Sequence, residues 1–339
     1  MHQARLKELS KTIVQDHLYP GEVLQAVNAF KQLMMETIHF DENVPEAQYD
    51  KLTHSGKAIA PKWAGMCVTD YQRTYTFCKA LYLATQKIVQ EKGHIHILYA
   101  GTGPFATLVL PLTQHFTSDQ LQLTLLEIHE YSFEMLQNTI QEFGLEKYIV
   151  NAENCDATEY IIDNPESIDL LVTETMMHSL KDEHQVSITY HLLSQLKKEV
   201  VLIPHKIELE LVAVNEDIRD TNRKSLEDPK PYSKKLGSLF TLDKETVFKN
   251  HDHFKKHFPE VSFDAVEIEI PDATHRAYHN LSIATTIEVY PGISLEIDNS
   301  GLTVLQKLMD LNSMLQTVSK LEATYSCGSK PGLHFKMIP

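Results

Sequence analysis

Apolar residues recur at helical spacing over residues 3–40. Leu6, Leu9, Ile13 and Val14 share one stripe, and Leu24, Val27, Phe30, Leu33 and Met34 share another. Pro20 and Gly21 interrupt the pattern, so two amphipathic helices are expected. A polar stretch with Pro45 and Pro61 as breakers follows, and then a long helical pattern over 70–90. From residue 94 the period changes. HIHILYA (94–100), LQLTLLEI (121–128), part of YIVNAENCDA (148–157), IDLLVTE (168–174) and EVVLIP (199–204) read as five short strands. Between them lie helical patterns, ATLVLPLTQHF (106–116), SFEMLQNTIQEFGL (132–145) and DEHQVSITYHLLSQL (182–196). This alternation predicts an α/β fold with a mainly parallel, doubly wound, Rossmann-like sheet.

Beyond residue 215 the pattern shifts again. KIELELVAV (206–214), VSFDAVEIEI (261–270), LSIATTIEVY (281–290) and ISLEI (293–297) look like antiparallel strands, and VLQKLMDLNSML (304–315) looks helical. The chain is thus expected to comprise a helical extension over 1–60, a Rossmann-like domain over 61–215 and a smaller β-rich, barrel-like domain over 216–339.

A hydrophobic content of 42% supplies a sizeable core. The formal net charge of −15 repels nucleic-acid phosphates and anionic membranes, and suits a cationic substrate. Lys255 and Lys256 in HFKKHF read as a solvated helix face. The four cysteines are far apart and form no C-x-x-C pair, which points away from a zinc ribbon or a disulfide scaffold. No apolar run approaches the ~20 residues that span a bilayer, and MHQARLKELSKTIVQDHL lacks the apolar stretch of a signal peptide. A reducing cytoplasm is the expected location.

The candidate chemistry sits at strand ends. Gly101, Thr102 and Gly103 follow the first strand of the parallel set, where glycine allows a tight turn and the close approach of a ligand. Glu127 ends the second strand, placed to accept hydrogen bonds from ribose hydroxyls, and Asp156 follows the third, placed to bind an adenine amino group. Ligands of α/β sheets bind at such carboxyl ends. The same run, GTGPFA, also satisfies the G-x-G-x-x-A dinucleotide pattern, so an NAD(P)-dependent oxidoreductase is an alternative. No His/Cys/Asp spacing matches a metal site, and His94, His96, His178 and His184 read as surface or core histidines.

These segments resemble the arginine N-methyltransferase family, best known through the protein arginine methyltransferases, over roughly residues 63–215. DYQRT (70–74) resembles the family's D-x-x-R-T element, which implies that Asp70 and Arg73 belong to the cofactor site, with Arg73 gripping the carboxylate of S-adenosylmethionine. YAGTGPF and LLEI stand where the family has its glycine motif and ribose-binding glutamate. TETM (173–176) resembles the S-E-x-M after the fourth strand, and Glu183 lies at the double-glutamate spacing from Glu174. EVVLIPHKIELELVAV resembles the turn into the family's barrel.

The resemblance implies S-adenosylmethionine as cofactor, Glu174 and Glu183 as the pair that holds and deprotonates a guanidine or amine, and a homodimer, for which residues 3–40 offer apolar helix faces. Met176 and Met177 are expected to pack the wall of the acceptor site. The Tyr-rich N-terminal motif and the Thr-His-Trp loop of the protein-modifying members are absent, and GLHF with His334 is a faint substitute for the latter. These departures favour a small acceptor, arginine or an arginine-like molecule, over a protein. A non-catalytic partner subunit on the same fold is a further alternative.

Overall fold

The computed structural model describes residues 2–15, 18–224, 229–311 and 318–339. Helices α1 (His2–Ile13) and α2 (Pro20–Ile38) open the chain. Pro20 occupies the first turn of α2, where its missing N–H costs nothing, and the Glu22 carboxylate accepts the Tyr19 N–H at 2.8 Å. A short hairpin, β1 (Lys51–Thr53) and β2 (Gly56–Ala58), precedes α3 (Pro61–Met66) and the long α4 (Tyr71–Lys92). The central sheet then forms from β3 (Ile95–Ala100), β4 (Leu121–Glu127), β5 (Ile149–Asn154), β6 (Leu170–Thr173) and β7 (Val201–Ile203), with α5 (Glu130–Glu142) between β4 and β5 and α6 (Gln185–Leu193) between β6 and β7.

All neighbours in this sheet are parallel, in the order β5-β4-β3-β6-β7. That is the doubly wound Rossmann order over its first five strands. Every residue of β3 and β6 is buried, as a sheet covered on both faces requires. The order reverses between β3 and β6, where Ala100 lies beside Thr173. The crevice at a Rossmann-type switch point therefore opens beside Gly101 and Glu174.

Two antiparallel sheets follow. The first pairs β12 (Ile293–Leu295), β11 (Asn280–Tyr290), β8 (Lys206–Val214) and β9 (Ser233–Asp243), with β13 (Gln306–Asp310) also on β11. The second pairs β10 (Val266–Glu269), β14 (Lys320–Ser326) and β15 (Gly332–Ile338). Three helices, α7 (Glu216–Lys224), α8 (Lys244–His257) and α9 (Asp272–Ala277), complete the described elements. Aromatic packing joins α8 to α6 and the two antiparallel sheets to each other. Tyr190 of α6 stacks on Phe254 of α8 with centroids 4.7 Å apart, Phe240 of β9 stacks on Tyr325 of β14 at 4.2 Å, and the Tyr325 hydroxyl donates to the Leu180 carbonyl at 2.6 Å.

The apolar faces of α1 and α2 are used within the chain. Leu6, Ile13, Val23, Val27, Phe30, Leu33 and Met34 are buried in the common core, while Tyr19 and Leu24 remain exposed. Lys255 and Lys256 are exposed on α8. No helix among the described residues is long and apolar enough to cross a membrane.

Two expected helices differ. The run 106–116 is a series of turns ending in a 3-10 turn at Leu110–Gln114. Ala106 has φ 47°, and Pro111 has no N–H to give a helical ladder. The run 304–315 contains strand β13, which extends the β11 ladder, and its residues 312–315 lie outside the described ones.

Candidate active site

The residues at the carboxyl ends of the parallel strands line one cleft. Gly101 begins the turn after β3 with φ 82°, and a Cβ there would lie 2.3 Å from the Thr175 Cγ2. Gly103 has φ 59°. The Glu127 carboxylate holds this turn against β4. One oxygen accepts the Gly103 N–H at 2.8 Å and the other accepts the His129 N–H at 2.8 Å. Burial pushes the Glu127 carboxyl up to about 7 against the pull of these backbone donors. Each carboxylate oxygen has a second lone-pair site, so two hydroxyls of a nucleoside could still be received. Asp156, beyond β5, accepts the Thr158 N–H at 2.8 Å and its hydroxyl at 2.7 Å through one oxygen. Thr102 is buried in the lining.

Across the switch point stand Arg73, Glu174 and Glu183. Arg73 lies in the first turn of α4, and its guanidinium forms a hydrogen-bonded ion pair with one oxygen of Glu174, just past β6. The other Glu174 oxygen is buried with no hydrogen-bond partner. Burial works against the Arg73 charge, but Cys67, Glu174 and Glu183 outweigh it and hold the guanidinium protonated. Burial likewise raises the Glu174 carboxyl while Arg73 lowers it. The two partners are thus pulled in opposite senses, and the direct contact, which only the charged form makes well, favours the ionic pair.

Glu183 lies two residues before α6, outside the helix. It is 8% exposed, and burial pushes it up to about 7, with Arg73 opposing and Glu174 reinforcing the rise.

Several lining residues escaped sequence reasoning. Cys67 lies in the cleft beside Arg73, its thiol raised by burial. Behind the lining, buried Gln185 positions the segment after β6: its carbonyl accepts the Thr175 N–H at 3.0 Å and its amide donates to the Thr173 hydroxyl at 2.8 Å. The β1–β2 hairpin bridges the two sides of the cleft. The Lys57 N–H donates to the Asp182 carbonyl at 2.8 Å, His184 Nε2 lies 2.8 Å from the Thr53 hydroxyl, and His129 Nε2 lies 3.3 Å from the Ala58 carbonyl. The spacing of a short hairpin carries no signal that it folds back over strand ends 70 to 130 residues away.

Three expected site residues lie outside this lining. Asp70 caps α4, accepting the Arg73 N–H at 3.1 Å, and its other oxygen accepts the Ser300 hydroxyl at 2.6 Å and the Gly301 N–H at 2.7 Å. Met176 is buried in the core behind the cleft. His334 is exposed on β15, its Nε2 2.8 Å from the Ser326 hydroxyl, and the fold does not bring it to the cleft. No cluster of three or more His, Cys, Asp or Glu suited to a metal ion occurs among the described residues.

Comparison with protein families found none that matches the chain, and comparison with curated proteins found none either. Among solved structures, the Trypanosoma brucei PRMT1 enzyme–prozyme heterotetrameric complex with AdoHcy is similar at 12% identity, over 80% of this chain and 92% of that one, with a TM-score of 0.49.

Proposed function

We propose that this protein is an S-adenosylmethionine-dependent N-methyltransferase acting on the guanidine or amine nitrogen of a small, arginine-like molecule. The observation that carries the reading is that two buried carboxylates, Glu174 and Glu183, share one cleft with the glycine turn and Glu127. One Glu174 oxygen has no donor. Burying carboxylates without full compensation is costly, so a missing cationic donor is the simplest account of them. The cradle fits a nucleoside sulfonium: Glu127 and Asp156 for the nucleoside, and the remaining guanidinium N–H groups of Arg73 for the amino-acid carboxylate.

S-adenosylmethionine, when bound, supplies an electrophilic methyl carbon. Glu174 and Glu183 grip the acceptor cation from two sides and fix its direction, and positioning of this kind contributes much of a transfer's acceleration. Glu183, whose carboxyl lies near neutrality, takes the proton that the nitrogen releases. Arg73 keeps Glu174 ionised while it does so.

A nicotinamide oxidoreductase would use the same glycine turn and Glu127, but hydride transfer gives no role to the Glu174–Glu183 pair. A non-catalytic subunit gives none either. Calorimetry with S-adenosylhomocysteine and with NAD separates these readings. Binding of the first and not the second is expected, and the reverse would overturn the proposal. Labelled S-adenosylmethionine offered with a panel of amino acids, amines and peptides, read by mass spectrometry, then tests the acceptor class.

A further inference from the structure

Among the described residues lining the cleft, Arg73 and Lys57 are the lysine and arginine side chains. Arg73 is closed on Glu174. Lys57 is held differently. Its backbone N–H is bonded to Asp182, the residue before Glu183, and a Cβ on the preceding Gly56 would lie 2.9 Å from the same carbonyl. The hairpin therefore lies hard against the chain that carries Glu183, and Lys57 moves with it. Its Nζ stands 3.4 Å from one oxygen of Asp50, with side chains 28% and 37% exposed. The other Asp50 oxygen accepts the Ala60 N–H at 2.8 Å, which fixes the carboxylate. Both charges act on Glu183, Lys57 favouring its ionised form and Asp50 opposing it.

We propose that Lys57 and Asp50 form a head-group subsite that takes the α-carboxylate and α-ammonium of a free amino acid, while Glu174 and Glu183 hold the cation at the end of its side chain. This rests on the cation-holding role given to the two glutamates above. A long, half-exposed ion pair is weak and readily exchanged. A zwitterion inserted into it offers each partner an opposite charge, so no unpaired charge is buried. A residue within a peptide offers neutral amides there and gives Lys57 and Asp50 no charged partner beyond each other. A decarboxylated amine offers Lys57 nothing. The subsite thus selects free amino acids against both.

The test is binding to the full chain saturated with S-adenosylhomocysteine, by calorimetry, using L-arginine, agmatine and N-acetylarginine amide. L-arginine should bind at least ~10-fold more tightly than the other two, because it alone of the three offers an opposite charge to both Lys57 and Asp50. Lys57→Met keeps the apolar stem. It should bring arginine and agmatine close to parity while leaving affinity for S-adenosylhomocysteine unchanged, and Lys57→Arg should restore the preference. Should Lys57→Met not fold, Asp50→Asn carries the test through lost discrimination between arginine and 5-guanidinopentanoate. Equal binding of arginine and agmatine by the wild type, a preference that survives Lys57→Met, or no binding of any of the three would each overturn the subsite. Methyl transfer is measured on the same samples. Discrimination without transfer supports the subsite and removes the methyltransferase reading. Equal transfer to arginine and agmatine does the opposite.

Discussion

Arg73 and Glu174 close on one another at the switch point of the parallel sheet, and the second Glu174 oxygen is left buried without a donor. Their side chains are 13% and 9% exposed. Removing one member of such a pair leaves an uncompensated charge. Arg73→Met should therefore destabilise the protein by about 3–5 kcal/mol at neutral pH. Arg73→Met with Glu174→Gln should recover much of that loss, because a neutral amide replaces the stranded carboxylate. Urea denaturation of both variants checks this, and equal losses in the two would show that the charge is not the cause.

Glu183 sets a pH dependence of stability. Its carboxyl is raised from 4.5 to about 7, so between those values the folded chain holds a proton that the unfolded chain has released. Stability therefore falls as pH rises through that window. Glu183→Gln removes the effect. At pH 8 the variant should be more stable than the wild type by roughly 2–3 kcal/mol, and near pH 4 the two should be alike. Thermal melts at the two pH values decide it, and a gain that is the same at both would point to packing instead of charge.

The same two carboxylates predict the kinetics. Glu174→Gln and Glu183→Gln should each retain affinity for S-adenosylhomocysteine while turnover of an accepted guanidine falls at least ~100-fold. For the wild type, kcat/KM should drop as pH falls through the region where Glu183 gains its proton, near 7. The drop should be absent from the residual activity of Glu183→Gln. Turnover near wild type in both variants would remove the pair from the mechanism.

Gly101 predicts a steric limit. Its φ is 82°, and a Cβ would lie 2.3 Å from Thr175 Cγ2, in the segment that carries Glu174. Gly101→Ala should cost on the order of 1–3 kcal/mol through backbone strain and weaken S-adenosylhomocysteine binding. Gly93→Ala, also at positive φ but with open space around it, should cost stability and leave that binding alone.

The parallel sheet was readable because strands buried on both faces appear as unbroken apolar runs, such as LLVT of β6, with chemistry-bearing residues punctuating their ends. Glu127, Glu174 and the glycines are thus visible from strand position alone. Strands β9, β14 and β15 were missed because lysines, a glycine and alternating polar positions break their apolar signal. In 304–315 the spacing of Leu305, Leu308 and Met309 suits a helix as well as a strand, and pairing with β11 decides it. Lys57, Cys67 and His184 join the cleft through packing between distant segments, which no local pattern encodes. His334 drew attention only through its neighbours in GLHF, and its strand places it on another surface.

Asp70 caps the helix that carries Arg73 and also binds Ser300 and Gly301, 230 and 231 residues further on. A chain emerging from the ribosome therefore completes the whole parallel sheet before this anchor exists. The start of α4, which carries Arg73, acquires its full set of restraints only once residues 300 and 301 have been made, well after the strands whose ends form the cleft.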